Sequence, residues 1–232
     1  MTPRAFPISV SALAFAAGLL AAALVAISAP VPAGVAATYL RIGIEHILFG
    51  FDHLIFVLAL VILVRDWRRI ALAVTAFAVA HSITLAAATL GVVRLHGPVV
   101  EAVIALSILL VAVEIVNARG GRFSLTDRWP SIVAFSFGLL HGFGFAGALA
   151  EVGLPDHAMV ALLSFNLGIE IGQLAFVVAV MMTGEAIRRA MTLRLEPAMV
   201  RGTAERFGLT AACAIGALAV FWLIERTSAL LV

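Results

Sequence analysis

His46, the Asp52–His53 dipeptide, single histidines at His81 and His141, and the carboxylate of Glu170 are the side chains whose types could hold a cation. Imidazole combined with carboxylate suits first-row divalent ions such as Ni²⁺, Co²⁺, Zn²⁺ or Fe²⁺. A thiolate site is excluded, because Cys213 is the one cysteine of the chain. All 15 basic Lys/Arg-type side chains are arginines, so Schiff-base and P-loop lysine chemistry are excluded too. Alkali or alkaline-earth transport would rely on carbonyls and carboxylates, and would leave three histidines unexplained.

The elements that must position these residues are membrane helices. Of the 232 residues, 63% are hydrophobic and 12% charged, with a mean hydropathy of +1.15. Soluble domains carry roughly 45–50% and 25%. There is too little polar side chain to coat a globule of this size. A spanning helix needs about 20 mostly apolar residues, and that ruler gives spans at 8–29, 42–64, 70–93, 99–116, 131–149, 158–182 and 207–224. The expected fold is an all-α polytopic membrane protein, a bundle of six core transmembrane helices plus an N-terminal one. Residues 1–33 form that first helix or a signal sequence, and 38–232 the membrane domain. The first run is longer than the usual 7–15-residue signal core, which favours a retained helix.

Arginines cluster in alternate connections: Arg65, Arg68 and Arg69; then Arg119, Arg122 and Arg128; then Arg188, Arg189, Arg194, Arg201 and Arg206. The positive-inside rule puts these in the cytoplasm and the C-terminus outside. The sequence pI near 9.5 therefore reflects topology, and no nucleic-acid partner is expected.

Against those spans the candidate ligands share a depth. His53, with Asp52 beside it, is the midpoint of 42–64. His81 lies at the middle of 70–93, His141 within a residue of the middle of 131–149, and Glu170 at the middle of 158–182. A lone buried histidine is most simply a hydrogen-bonded clamp between two helices. Five ionisable groups at one depth on four helices have no reason to be clamps, whereas a midplane ligand site requires that arrangement. On a continuous helix Glu45 would stack above Asp52 and His46 above His53, and Asn166, Glu170 and Gln173 would form one polar stripe. Glu45, His46 and Glu101 fall at the outer end of the path; Glu114 and Glu185 fall at the inner end, where interfacial solvation explains them equally well. The last span carries only Thr210 and Cys213 as polar groups and is expected at the periphery.

At these residues the chain resembles the HupE/UreJ family of membrane proteins, associated with nickel and cobalt uptake. The resemblance covers about 43–182. It rests most on His46-Ile-Leu-Phe-Gly-Phe-Asp52-His53, an H-x5-D-H pattern similar to the family signature and to the H-x4-D-H of related permeases. The segments around His81, His141 and Glu170 resemble blocks of a divergent branch. The resemblance implies metal handling through His46, Asp52 and His53.

Together these readings predict a divalent transition-metal permease, not an enzyme, in a bacterial inner membrane. Metal contacts are expected from His46, Asp52, His53, His81, His141 and Glu170, with Glu45, Glu101, Glu114, Asn166 and Gln173 along the path. The bilayer and the ion are the expected partners, a homo-oligomer is left open, and no resident cofactor is expected. Two rivals remain: an intramembrane zinc-dependent hydrolase, and a membrane accessory protein in metalloenzyme maturation. Metal uptake supports the first reading, and lipid or peptide hydrolysis by purified protein supports the hydrolase.

Overall fold

The computed structural model describes residues 33–144 and 157–230. The expected first span lies outside the described residues, as do Glu151, Asp156 and the end of the 131–149 run. The described residues form eight helices and no strand: α1 (Ala33–Phe49), α2 (Phe51–Val64), α3 (Trp67–Thr89), α4 (Gly97–Arg119), α5 (Leu125–Arg128), α6 (Pro130–Gly144), α7 (Ala158–Thr192) and α8 (Pro197–Ser228). The fold is all-α and polytopic. Helices α3, α4, α7 and α8 are each long and apolar enough to span, α1 and α2 together make a broken span, and α6 is a shorter apolar helix. On α4, Leu106, Leu110 and Val113 form an outward-facing stripe that is 39–48% exposed. In water that face would be polar; in lipid, tails solvate it as well as the protein interior would.

The helices associate chiefly as three close pairs, α3 with α6, α1 with α7, and α4 with α8. Without a hydrophobic force between helices in lipid, close approach depends on small residues. Gly43 and Gly168 let α1 and α7 touch backbone to backbone. A methyl group on Gly168 would come within 3.0 Å of the Ile44 nitrogen, and one on Gly43 within 3.1 Å of the Ile169 nitrogen. Gly138 and Gly142 do the same for α6 against α3, where a methyl group on Gly138 would lie 3.0 Å from the Phe77 Cα.

Two boundaries differ from the sequence expectation. The run 42–64 is not one straight helix. It breaks at Gly50, which has φ −80° and ψ 87°, and α1 and α2 meet at a 69° bend. The connection left between the expected spans 158–182 and 207–224 is mostly helix, because α7 continues to Thr192 and α8 begins at Pro197. All three arginine-rich connections nevertheless meet at one end of the bundle. Arg69 donates to the Asp127 carbonyl, Arg119 donates to the Ala204 and Glu205 carbonyls, and Arg65, Arg119, Asp127 and Glu205 line one cavity.

Candidate metal centre

The break at Gly50 builds the centre. The helical ladder of α1 ends with Gly50 N–H donating to the His46 carbonyl at 2.8 Å, and that of α2 starts with Leu54 N–H donating to the Gly50 carbonyl at 3.1 Å. Between them, the N–H of His53 has no helical partner and donates to Asp52 Oδ1 at 2.9 Å. The bend folds His46 over His53, with ring centroids 4.9 Å apart. A Cβ on Gly50 would lie 2.6 Å from the His46 oxygen and 3.0 Å from His53 Nδ1, so glycine is required for the close approach.

His46, His53 and His81 each offer one nitrogen to a common point, with the three atoms within 4.8 Å of one another. His141 stands beside them, its ring 4.8 Å from that of His53. His53, His81 and His141 are at most 5% exposed.

Each of these three buried rings has one nitrogen held and one left open. His53 Nδ1 lies 3.0 Å from Asp52 Oδ1, a carboxylate that can only accept, so Nδ1 carries the proton. His81 Nδ1 lies 3.3 Å from Asn166 Oδ1. The Asn166 amide is oriented by donating its Nδ2 to the Leu162 carbonyl at 2.8 Å, which turns its oxygen to His81. His141 Nε2 lies 3.3 Å from Ser107 Oγ, whose own hydrogen goes to the Ile104 carbonyl at 2.7 Å. These partners assign the proton to Nδ1 of His53 and His81 and to Nε2 of His141. The opposite nitrogens are then lone-pair acceptors. His53 Nε2, His81 Nε2 and His141 Nδ1 are buried without a hydrogen-bond partner among the described residues. Buried polar atoms are normally satisfied. An imidazole oriented through one N–H with its other nitrogen open is the arrangement of a metal ligand and its supporting shell.

An aromatic layer closes the arginine-rich side of the centre. Phe56, Phe77 and Phe137 each lie one helical turn from His53, His81 and His141 respectively, always towards the arginine-rich end. The Phe56 ring is 5.5 Å from Phe77 and 5.6 Å from Phe137, and Phe56 and Phe77 are fully buried.

The remaining candidates are distributed around this core. Asp52 orients His53. Asn166 orients His81. Glu170 does not join the imidazoles: its carboxylate accepts the Thr75 hydroxyl at 2.7 Å, beyond the aromatic layer. Gln173, a turn further along α7, is 1% exposed with both amide atoms unpartnered among the described residues. Glu45 is half-exposed and pairs with Arg41 at 2.7 Å, because the bend at Gly50 removes the stacking expected of a straight helix. Glu101 is 55% exposed near the start of α4. Glu114 accepts from Ser124 Oγ at 2.8 Å and from the Thr126 N–H at 2.9 Å, and so organises the connection around α5.

Two residues escaped the sequence reading. Ser107 sits at the midpoint of the run 99–116, the same depth signal that marks the histidines, but it is not ionisable. Arg226 falls just past the end of the last apolar run, yet it lies 3.8 Å from Asp52 Oδ2. Helix α8 packs mainly on α4 and is the least buried of the single spans, so it is peripheral as expected, yet its last turn reaches the site through Arg226.

The family model described as HupE / UreJ protein matches residues 21–226. The chain belongs to the HupE/UreJ family. This family is involved in nickel and cobalt uptake or in urease and hydrogenase maturation, and it is a transporter or accessory family. In this HupE/UreJ protein the matched region takes in every residue of the centre, Arg226 included. No curated protein and no solved structure matches the chain.

Proposed function

We propose that this protein is a divalent transition-metal permease in which His46, His53, His81 and His141 hold the ion in transit. The observation that carries this reading is the set of open lone pairs: on three helices, buried imidazoles are each oriented through one nitrogen while the other has no hydrogen-bond partner among the described residues. A helix clamp would use both sides of the ring, since an unpaired buried polar atom costs about 1–3 kcal/mol. An ion in transit is the partner these nitrogens lack.

The arginine-rich end is cytoplasmic in this reading, by the positive-inside rule. Glu45 and Glu101 gather the ion outside and Asp52 offsets its charge beside His53. The Phe56–Phe77–Phe137 layer closes the inner side and must part for release. Glu170, with Thr75 and Gln173, then offers oxygen ligands on the far side. Glu114 is left out of this path, because its carboxylate is engaged by the connection around α5. No nucleotide-binding motif is present in the sequence, so the membrane potential or an ion gradient drives transport. A hydrolase would need a carboxylate poised on metal-bound water. Glu170 lies beyond the aromatic layer from the imidazoles, with the Thr75 hydroxyl on its carboxylate, which supports the permease instead.

The test is uptake of Ni²⁺, Co²⁺ and Zn²⁺ into vesicles reconstituted with purified protein. Saturable uptake of at least one ion, lost in His53→Ala, is expected. Uptake no faster than in protein-free vesicles for every ion overturns the reading.

A further inference from the structure

Arg226 is the one strong charge at the centre that an ion-conducting path does not ask for. A guanidinium beside a cation site repels the cation. It reaches there from the last turn of α8 and lies between two carboxylates of two other helices. Its Nη2 is 3.8 Å from Asp52 Oδ2, and its Nε is 3.8 Å from Glu101 Oε2. Asp52 Oδ2 is the oxygen that His53 does not use.

The geometry is not that of a structural ion pair. In this same chain Arg41–Glu45 and Arg188–Glu185 close to 2.7 Å. Arg226 stops short of both carboxylates, and its close hydrogen bond goes instead to the Glu101 backbone carbonyl, at 2.9 Å. Its side chain and that of Asp52 are each 19% exposed, so the pair is reachable from outside the bundle. The ring of Trp222, one turn earlier on α8, already lies 5.6 Å from the guanidinium carbon, so the charge has a partner that does not depend on the carboxylates. Glu101 precedes Ser107 by six residues, or about 9 Å along α4. Arg226 therefore stands between an exposed carboxylate and the level of the imidazoles.

We infer that Arg226 is a tethered competitor cation: it holds Asp52 and Glu101 until a divalent ion displaces it, and so sets which cations reach the histidines. A divalent ion at the same distance is attracted to a carboxylate twice as strongly as the guanidinium is, whereas K⁺ or Na⁺ has no such advantage. The displaced guanidinium withdraws from the carboxylates and keeps its contact with Trp222. This inference rests on the permease reading and adds a selectivity step to it.

The experiment is equilibrium Co²⁺ binding by purified full-length protein in detergent, with and without excess K⁺, and with folding checked by thermal melting. Arg226→Gln should bind Co²⁺ about tenfold more tightly than the parent and should become sensitive to K⁺ competition, while Arg226→Lys should stay close to the parent. As a safeguard against misfolding of the glutamine variant, Arg226→Cys in a Cys213→Ser background can be labelled after folding with a neutral methyl or a cationic aminoethyl thiosulfonate. The neutral label should bind Co²⁺ about tenfold more tightly than the cationic one. If the parent binds Co²⁺ but charge removal leaves affinity unchanged or weaker, or the two labels bind alike, the competitor role is overturned and the permease reading stands. If parent and variants alike bind neither Co²⁺ nor Ni²⁺ nor Zn²⁺, both are overturned.

Discussion

The two ends of this bundle handle buried polarity in opposite ways. At the arginine-rich end, Glu114 accepts from Ser124 and Thr126, Arg119 donates to two carbonyls near the start of α8, and Asp66 caps α3 by accepting from the Arg68 and Arg69 N–H groups at 2.9 and 3.3 Å. Each of these groups completes a connection. Around the histidines the protein spends comparable effort on orientation, through Asp52, Asn166 and Ser107, and then leaves the oriented atoms open. Satisfied polarity holds a fold together, and open polarity of this kind fits the ion proposed above.

That contrast can be broken most severely at the imidazoles. His53→Ala, His81→Ala and His141→Ala should each lower metal uptake by about 100-fold or more with folded protein still present in the membrane. Ligands sharing one ion act as a unit, so each double variant should be scarcely worse than either single one. Losses that multiply, measured as flux per folded protein, would mean independent clamps. Next in size, Gly50→Ala places a methyl group against His53 Nδ1 and the His46 carbonyl. Metal affinity by titration calorimetry should weaken about tenfold, and an unchanged affinity would show that the bend does not set the ligand geometry.

The arginine-rich end should respond in stability instead. Glu114→Gln replaces a charged acceptor of two hydrogen bonds and should destabilise by about 1–2 kcal/mol, read as a lower melting temperature, with uptake within about twofold of the parent. A large loss of uptake without loss of stability would return Glu114 to the ion path. Smallest of all, Glu185→Gln removes exposed pairs with Arg188 and Arg189. Solvent screens such exposed pairs, so melting and uptake should both stay near the parent.

Much of this was readable in the sequence, for a physical reason. Lipid demands long apolar runs, so helices show as runs, and a histidine at mid-run is conspicuous because its insertion is unfavourable. Helical phase, by contrast, assumes an unbroken helix. Gly50 removes that assumption, which is why Glu45 pairs with Arg41 rather than lying over Asp52, while His46 still reaches His53 by the bend. Depth along a run does not say which neighbour a side chain faces. Glu170 lies at the depth of its run's midpoint but turns to Thr75. Arg226 was hidden by the ruler itself, because a hydropathy window ends where a charge begins.

The three close helix pairs have a consequence for how an ion could leave. His46 belongs to the α1–α7 pair, His81 and His141 to the α3–α6 pair, and Arg226 to the α4–α8 pair, while His53 sits on α2 at their junction. The tight backbone contacts lie inside pairs, and the ligand nitrogens face each other across them. The cation proposed to be shared by the imidazoles would act as a rivet through separately fastened plates. In the proposed permease, small slides of one plate against another would shift His46 and His53 relative to the His81–His141 plate and leave each glycine seam intact, so the ion could be released without loosening the helices that carry its ligands.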